Sequence, residues 1–313
     1  MIGLRRAALV AGLAAAIGAA GAAAAQPPKI AITFDDIPAH GPLPQGETRL
    51  DIVHRIISAL KAHGVDHPFG FFNGGFGVGN PDSPKVVAAW RAAGFALGNH
   101  SYSHGHLGQV PLAKFEDDVA KNEPVLKRVG GKSDWRWFRY PFLDEGDTPA
   151  KRDGFRSWLG QRGYRVAAVT MSFDDYAWNA PYARCVAKRD RAAIARLEKG
   201  YLDAARAEAR RVRILSYLTQ GREIPYVLLM HLGAFDARML PRLLDMYQRE
   251  GFRFVPLPQA ERDPFYRFAT NLSLAGPTAS LGASAAAAGV SVAPAHGPLD
   301  TLDTLDTLDE VCR

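Results

Sequence analysis

Two carboxylates side by side, Asp35-Asp36 in ITFDDIPAHG, stand where an apolar run stops, and two histidines four residues apart, His100 and His104 in NHSYSH, follow another. Adjacent like charges repel, so a chain that keeps both aspartates needs a cation or hydrogen-bond donors beside them. Imidazoles spaced i, i+4 lie on one side if their segment begins a helical turn. Two histidines with one carboxylate form a common ligand set for a catalytic divalent metal and leave positions open for water and substrate. The HxxxH pair gains its weight from the carboxylate pair at a neighbouring strand end. Three more polar groups end apolar runs: Arg139 in RYPF, Asp174-Asp175 in FDDY and His231 in LLMH.

The elements that must carry these residues alternate between strand and helix from residue 29 to about 256. Strand-like runs cover 29–34, 68–72, 95–98, 135–139, 164–171, 225–230 and 252–255. Helical spacing covers 48–62, with Leu50, Val53, Ile56 and Leu60 in phase and Gly64 as stop, then a segment opened by Ser83-Pro84 and closed by Gly94. It returns over 112–129, interrupted at Pro124, over 149–163 and over 236–250. Seven such repeats predict a parallel sheet, either open or rolled into a barrel. The polar residues choose between the two. They follow five different strands at the C-terminal end, and in a barrel those ends converge on one mouth, whereas an open sheet spreads them along an edge. The expected fold is α/β, a distorted, incomplete (β/α)7 barrel of the TIM-barrel-like type.

Taken in order, TFDD, HSYSH, RYPF, FDDY and LLMH resemble the five motifs of the polysaccharide deacetylase family, the NodB-homology carbohydrate esterases of family 4. The resemblance spans residues 30 to 255. It implies metal ligands Asp36, His100 and His104, and a free Asp35 acting as general base toward water, whose pKa a divalent ion lowers from 15.7 towards about 7. It implies that His231 is the general acid for the departing amine and that Arg139 orients the base, a task that suits a permanently charged fork. The Phe142 backbone N–H takes the place of the oxyanion donor. Leu229 takes the place of a residue lining the acetyl methyl pocket, where an ordinary core leucine accounts for it equally well. Asp175 and Tyr176 stand for the Asp-Trp pair of the fourth motif. Asp175 is expected to orient Arg139 or His231, with Asp174 as its near rival. Tyr for Trp, and Phe-Leu-Asp after Pro141 in place of Tyr-Gly, are departures that bear on substrate shape. Zinc is the default ion, with cobalt or another divalent ion as alternatives.

The implied activity is metal-dependent removal of acetyl groups from N-acetylated sugars of a peptidoglycan- or chitin-like polysaccharide. Its alternatives are an O-deacetylase of the acetylxylan-esterase type and a catalytically silent glycan-binding envelope protein. His40 and His106 match no motif position and read as loop residues that at most touch substrate. His54, His63 and His67 fall on or beside the first helix and read as surface residues. Trp178 follows Asp175 closely enough to stack on a sugar, or packs in the core.

The chain's 313 residues, 47% of them hydrophobic, suffice for one large domain with a substantial core. The first 25 residues have Arg5 and Arg6, then an Ala/Gly-rich apolar run ending in Ala23-Ala24-Ala25, the pattern of a cleaved export signal. The expected location is therefore periplasmic or secreted, with no stable membrane span after cleavage. The formal charge of +6 includes those two arginines, and the other basic residues are interleaved with acidic ones, so nucleic acid is excluded as the expected partner and a glycan is favoured. The domain is expected over 26–267 with a helical insertion at about 179–223, either a lid or oligomer contact or a solvated excursion. Residues 268–313, rich in Ala, Gly and Ser and ending in LDTLDTLDTLDE, are expected to form a disordered tail. Cys185 and Cys312 are the two cysteines, and their pairing stays open.

Overall fold

Eight of the nine residues of β1 (Lys29–Ile37) are buried. Burial on both faces is why the strand reads as a continuous apolar run and why its two aspartates stand out. A computed structural model of the chain describes residues 27–291, apart from 77, 79, 80, 132 and 133, together with 305–313. The expected leader, 1–25, lies outside the described residues.

The chain continues through α1 (Arg49–Ala62), β2 (Phe69–Phe72), α2 (Ser83–Ala92), β3 (Ala96–Asn99), α3 (Leu112–Val129), β4 (Trp137–Phe138), α4 (Pro149–Gln161) and β5 (Arg165–Val166). After these come α5 (Asn179–Lys188), α6 (Arg191–Gln220), β6 (Tyr226–His231), α7 (Ala234–Arg249), β7 (Arg253–Phe254), α8 (Leu257–Ala260), α9 (Arg267–Thr270), α10 (Leu281–Ala287) and α11 (Leu305–Glu310). All strand pairs are parallel, in the order β5-β4-β3-β2-β1-β6, with β7 joined to the start of β1. Ile30 pairs with Tyr226 on one edge and Phe254 on the other. β7 therefore shares an edge of β1 with β2, which joins from Thr33 onward. The result is the distorted, incomplete seven-stranded α/β barrel that the strand-end pattern predicts.

Local chemistry explains most boundaries. The Thr48 side chain accepts from the Asp51 N–H and the Asp51 carboxylate accepts in return, a capping box that opens α1. α1 buries Ile52, Val53, Ile56, Ala59 and Leu60 and ends at Gly64, whose φ of +69° favours glycine. α3 differs from expectation in running unbroken through Pro124. Phe115, Val119 and Leu126 pack on both sides of the proline, and buried Asn122 donates to the Phe72 carbonyl at 2.7 Å. Tertiary anchoring of this kind outweighs one lost helical hydrogen bond.

The fifth strand is shorter than expected, and its remainder does something else. After Val166 the chain crosses to β6, where the Thr170 and Met171 N–H groups donate to the Val227 carbonyl and the Leu229 N–H donates to the Met171 carbonyl. A single bridge, Met171 with Leu228, thus joins the two ends of the sheet near the mouth.

The segment 179–223 is not a solvated excursion. α6 buries Leu197, Tyr201, Ala205 and Val212 and packs on α5, α7 and α10. Nor are the described parts of the tail without structure. Leu272, Leu281 and Ala285 are buried, and Arg156 donates to the carbonyls of Phe268 and Leu274. α11 packs against α5 and the turn before it, tied by a disulfide between Cys312 and Cys185 and by Arg184, which donates to the carbonyls of Leu308 and Val311. Apolar residues sparse enough to read as low complexity still cover the barrel wall. Residues 292–304 lie outside the described residues. Among the described residues, no helix is long and apolar enough to cross a membrane.

Candidate active site

β1 places Asp35 and Asp36 at the mouth, and Asp36 leaves the strand with φ of +60°. Ser101, His104, Phe142, Leu143 and Asp174 share this left-handed backbone. Non-glycine residues adopt it at a cost, and here they gather where strands give way to site loops.

Asp35 is 3% exposed and meets the Arg139 Nη1 donor at 3.0 and 3.2 Å. Arg139 is itself fixed: its Nε donates to the Ala167 carbonyl at 2.8 Å, its Nη2 to Thr33 Oγ1 at 3.1 Å, and its guanidinium lies on the Phe71 ring. The base candidate is therefore held by an arginine that cannot swing away.

His100, 1% exposed, donates from Nδ1 to the Arg139 carbonyl at 2.7 Å, which turns Nε2 into the cleft. That nitrogen lies 3.7 Å from Asp36 Oδ1, and His104 Nε2 lies 3.2 Å from the same oxygen. Asn73 donates to the carbonyls of His100 and Ser101, and Ser101 Oγ accepts from the His104 N–H, so the NHSYSH turn is braced from behind. Burial, followed by the His100 charge, pulls the His104 pKa down to about 4 and favours the neutral imidazole that a metal needs. Burial alone would raise the Asp36 pKa, but the His40 hydrogen bond and the charges of His231, His100 and His104 hold it well below the usual carboxylate range. Asp36 Oδ1 is buried with no hydrogen-bond partner. A deprotonated oxygen facing two ring nitrogens, with no donor to satisfy it, fits a cation.

His231 contrasts with these histidines. Asp175, fully buried, accepts from the His231 N–H at 2.6 Å and from its Nδ1 at 2.9 Å. Burial acts to lower the His231 pKa, yet the Asp175 carboxylate, with Asp36 and Asp35 behind it, raises it to about 10. Of the two expected partners, Asp175 thus bonds His231, while Arg139 bonds Asp35. Asp174 caps the turn with φ of +55° and lines the cleft.

Asp35, Asp36, His100, His104, Asp174 and His231 share one cleft of about 410 Å³, lined also by His40, Phe142, Leu143, Tyr176 and Leu229. Phe142 is 56% exposed, edge-on to His104 and stacked at 3.7 Å on His106, whose Nδ1 lies 3.3 Å from Asp144. Tyr176 stands edge-on to His231 and His40. Trp178 is buried against Tyr201, which removes it from any sugar-stacking role. His63 is not a free surface residue, since its Nε2 lies 3.1 Å from Asp245 of α7. The residue that sequence reasoning passed over is His40, 2.8 Å from Asp36 Oδ2 and 4.4 Å between ring centres from His231. Its spacing from Asp36, i to i+4, repeats that of His100 and His104 and was the available signal.

Residues 22–158 match the polysaccharide deacetylase family. The match covers less than half of the chain, which is similar to that family over this segment. The matched segment holds Asp35, Asp36, His100, His104, Arg139 and Phe142, whereas Asp175, Leu229 and His231 lie beyond it. The chain is 24% identical over 230 residues to a peptidoglycan-N-acetylglucosamine deacetylase of Bacillus cereus, covering 74% of this chain and 67% of that one. It is 28% identical over 150 residues to a chitin deacetylase of Pestalotiopsis, covering 48% of this chain and 44% of that one. Among solved structures, a mutant with restored enzymatic activity of a family 4 carbohydrate esterase pseudoenzyme from Bacillus anthracis superposes with a TM-score of 0.50 at 15% identity, over 75% of this chain and 67% of that one. The likeness is one of fold.

Proposed function

We propose that this protein is a polysaccharide deacetylase that hydrolyses the acetamide of N-acetylated sugars in a peptidoglycan- or chitin-like polymer and uses one divalent cation, zinc by default. The observation that carries the reading is the division of partners in the cleft: an orphaned Asp36 Oδ1 facing the rings of His100 and His104, beside a carboxylate clamped by Arg139 and a histidine clamped by Asp175. Asp36, His100 and His104 would hold the cation, which supplies polarisation of the acetyl carbonyl and a lower pKa for water.

In this reading the chain's own groups do the proton work. Asp35, fixed by Arg139, takes the proton of the attacking water as oxygen adds to the carbonyl carbon. The Phe142 N–H donates to the carbonyl oxygen as charge gathers there. His231, charged at neutral pH and held through Nδ1, gives the proton on Nε2 to the sugar nitrogen as the C–N bond breaks, leaving acetate and an amine. Leu229 lies against the acetyl methyl, and Tyr176 and Phe142 offer exposed faces to sugar rings. We place the protein outside the cytoplasm. The signal-like start and the Cys185–Cys312 disulfide support that location.

The test is acetate release from chitooligosaccharides, peptidoglycan and acetylxylan, with and without chelator. Chelator-sensitive release from either of the first two is expected. Release from acetylxylan alone would make it an O-deacetylase, and none from all three would leave a glycan-binding protein.

A further inference from the structure

His40 belongs to no part of the mechanism above, yet it is built into the site. Its Nδ1 lies 2.8 Å from Asp36 Oδ2, while the other oxygen, Oδ1, faces His100 and His104 with no donor. Its loop is held from α1, where Arg49 donates from Nη1 to the His40 carbonyl at 2.6 Å and from Nη2 to the Gly41 carbonyl at 2.5 Å. Gly41 has φ of +63°, and a Cβ there would stand 3.1 Å from the Asn179 Cβ, so the loop is also pressed against the start of α5. On its cleft side the His40 ring packs against those of His231 and Tyr176. Three elements thus fix an imidazole whose N–H points at one oxygen of one carboxylate.

We propose that His40 is a positioning residue that commits Asp36 to hold its cation through Oδ1 alone. The inference rests on Asp36, His100 and His104 being the metal ligands. A carboxylate free at both oxygens can bind a divalent ion through the pair and fill two coordination positions. With Oδ2 satisfied by the His40 N–H, Asp36 offers one oxygen, and a position stays available for water or the acyl oxygen. An outer partner of this kind also fixes the plane of the carboxylate, and losing such partners weakens metal affinity by about 10- to 100-fold. A rival exists on the same atoms: Asp36, His40 and His231 also bring one ligand atom each within 4.8 Å of one another. There His40 would be a ligand itself. The unpartnered Oδ1 favours the first arrangement, because the second draws on groups already paired through Asp36 Oδ2 and Asp175.

The experiment uses the full chain as wild type, His40→Asn and His40→Ala, with folding of the metal-free proteins checked by circular dichroism and melting. Zn2+ affinity is read by competition with a chelating dye, and the Co2+ form by visible absorption. His40→Ala is expected to bind Zn2+ about 10- to 100-fold more weakly. His40→Asn, whose side-chain N–H reaches the same oxygen, should stay within about threefold of wild type and keep its cobalt spectrum. Wild-type affinity in His40→Ala overturns the proposal. So does a His40→Asn variant as weak as His40→Ala, since His40 would then act as a ligand. A wild type that binds neither ion overturns the metal reading and this inference together. If His40→Ala does not fold, Arg49→Gln leaves His40 in place but frees its loop. It should weaken Zn2+ about threefold to tenfold, and no change there counts equally against the proposal.

Discussion

The cleft holds two kinds of histidine, and the same burial acts on both. His104 is driven down to about 4, while His231 is driven up to about 10. The difference lies in the neighbouring charges: burial and the His100 charge dominate at His104, and a bonded carboxylate opposes burial at His231. His231 Nδ1 meets a buried carboxylate dedicated to it, whereas the neighbouring His100 puts its Nδ1 against a neutral backbone carbonyl. A carboxylate bonded to a buried ring raises its pKa and suits it to donate a proton, whereas a ring whose burial dominates favours the neutral form that can bind a metal. In the proposed function one residue type thus serves two chemistries in one cleft.

The strongest way to break the comparison is to remove its functional ends. Asp35→Asn or His231→Ala should lower kcat by roughly a hundred- to ten-thousand-fold with bound metal unchanged by elemental analysis, as expected for general acid–base groups. His100→Ala should instead lose the metal, and with it the activity. Loss of metal in Asp35→Asn at full turnover would reverse the assignments.

Asp175→Asn sharpens the comparison by turning His231 towards the other kind. Its pKa stands above the ordinary histidine range because Asp175 opposes burial, so neutralising Asp175 lowers it. The acid must be protonated to act. Activity is therefore present below the His231 pKa and lost as pH rises through it, and the alkaline limb of kcat/KM should move to lower pH. A fall in kcat of about tenfold to a hundredfold should accompany the shift. An unmoved alkaline limb would mean that Asp175 serves structure alone.

A smaller effect is expected at the cleft wall. Leu229, 7% exposed between the strand core and the cleft, limits the space for the acyl group. Leu229→Ala should admit longer N-acyl chains, raising propionamide over acetamide turnover by about threefold to tenfold, because a methylene in an apolar pocket is worth about 1–3 kcal/mol. An unchanged ratio would return Leu229 to the ordinary core.

Much of this was legible in the chain because barrel strands end at one mouth, so polar residues that interrupt apolar runs announce both fold and site. Asp35, Asp36, His100, His104, Arg139, Asp175 and His231 all sit at such interruptions. Their pairing was not legible. Asp35 with Arg139 spans 104 positions and Asp175 with His231 spans 56, and partners that distant leave no local pattern. His40 was passed over because loop histidines are common and only its packing shows that it is held. The described parts of 268–313 read as disordered because Leu281 and Leu308 are isolated apolar residues, and their burial depends on surfaces elsewhere in the chain.

The last helix of the tail supplies the last and smallest perturbation, because it packs on one side of the comparison. α11 packs against the turn Asp175–Trp178 and against α5, where Cys185 holds Cys312 across 127 positions. The metal-side residues sit on β1, β3 and the loops after them. Cys185→Ser should lower stability by about 2–4 kcal/mol through the freed chain, seen as a lower Tm. Its effect on turnover should be about twofold and confined to the acid side: the alkaline limb should shift slightly, while Zn2+ affinity stays at the wild-type value. A loss of Zn2+ affinity in Cys185→Ser would show that the two sides are mechanically one, and that the contrast between the histidines depends on the whole mouth as well as on the charges beside each ring.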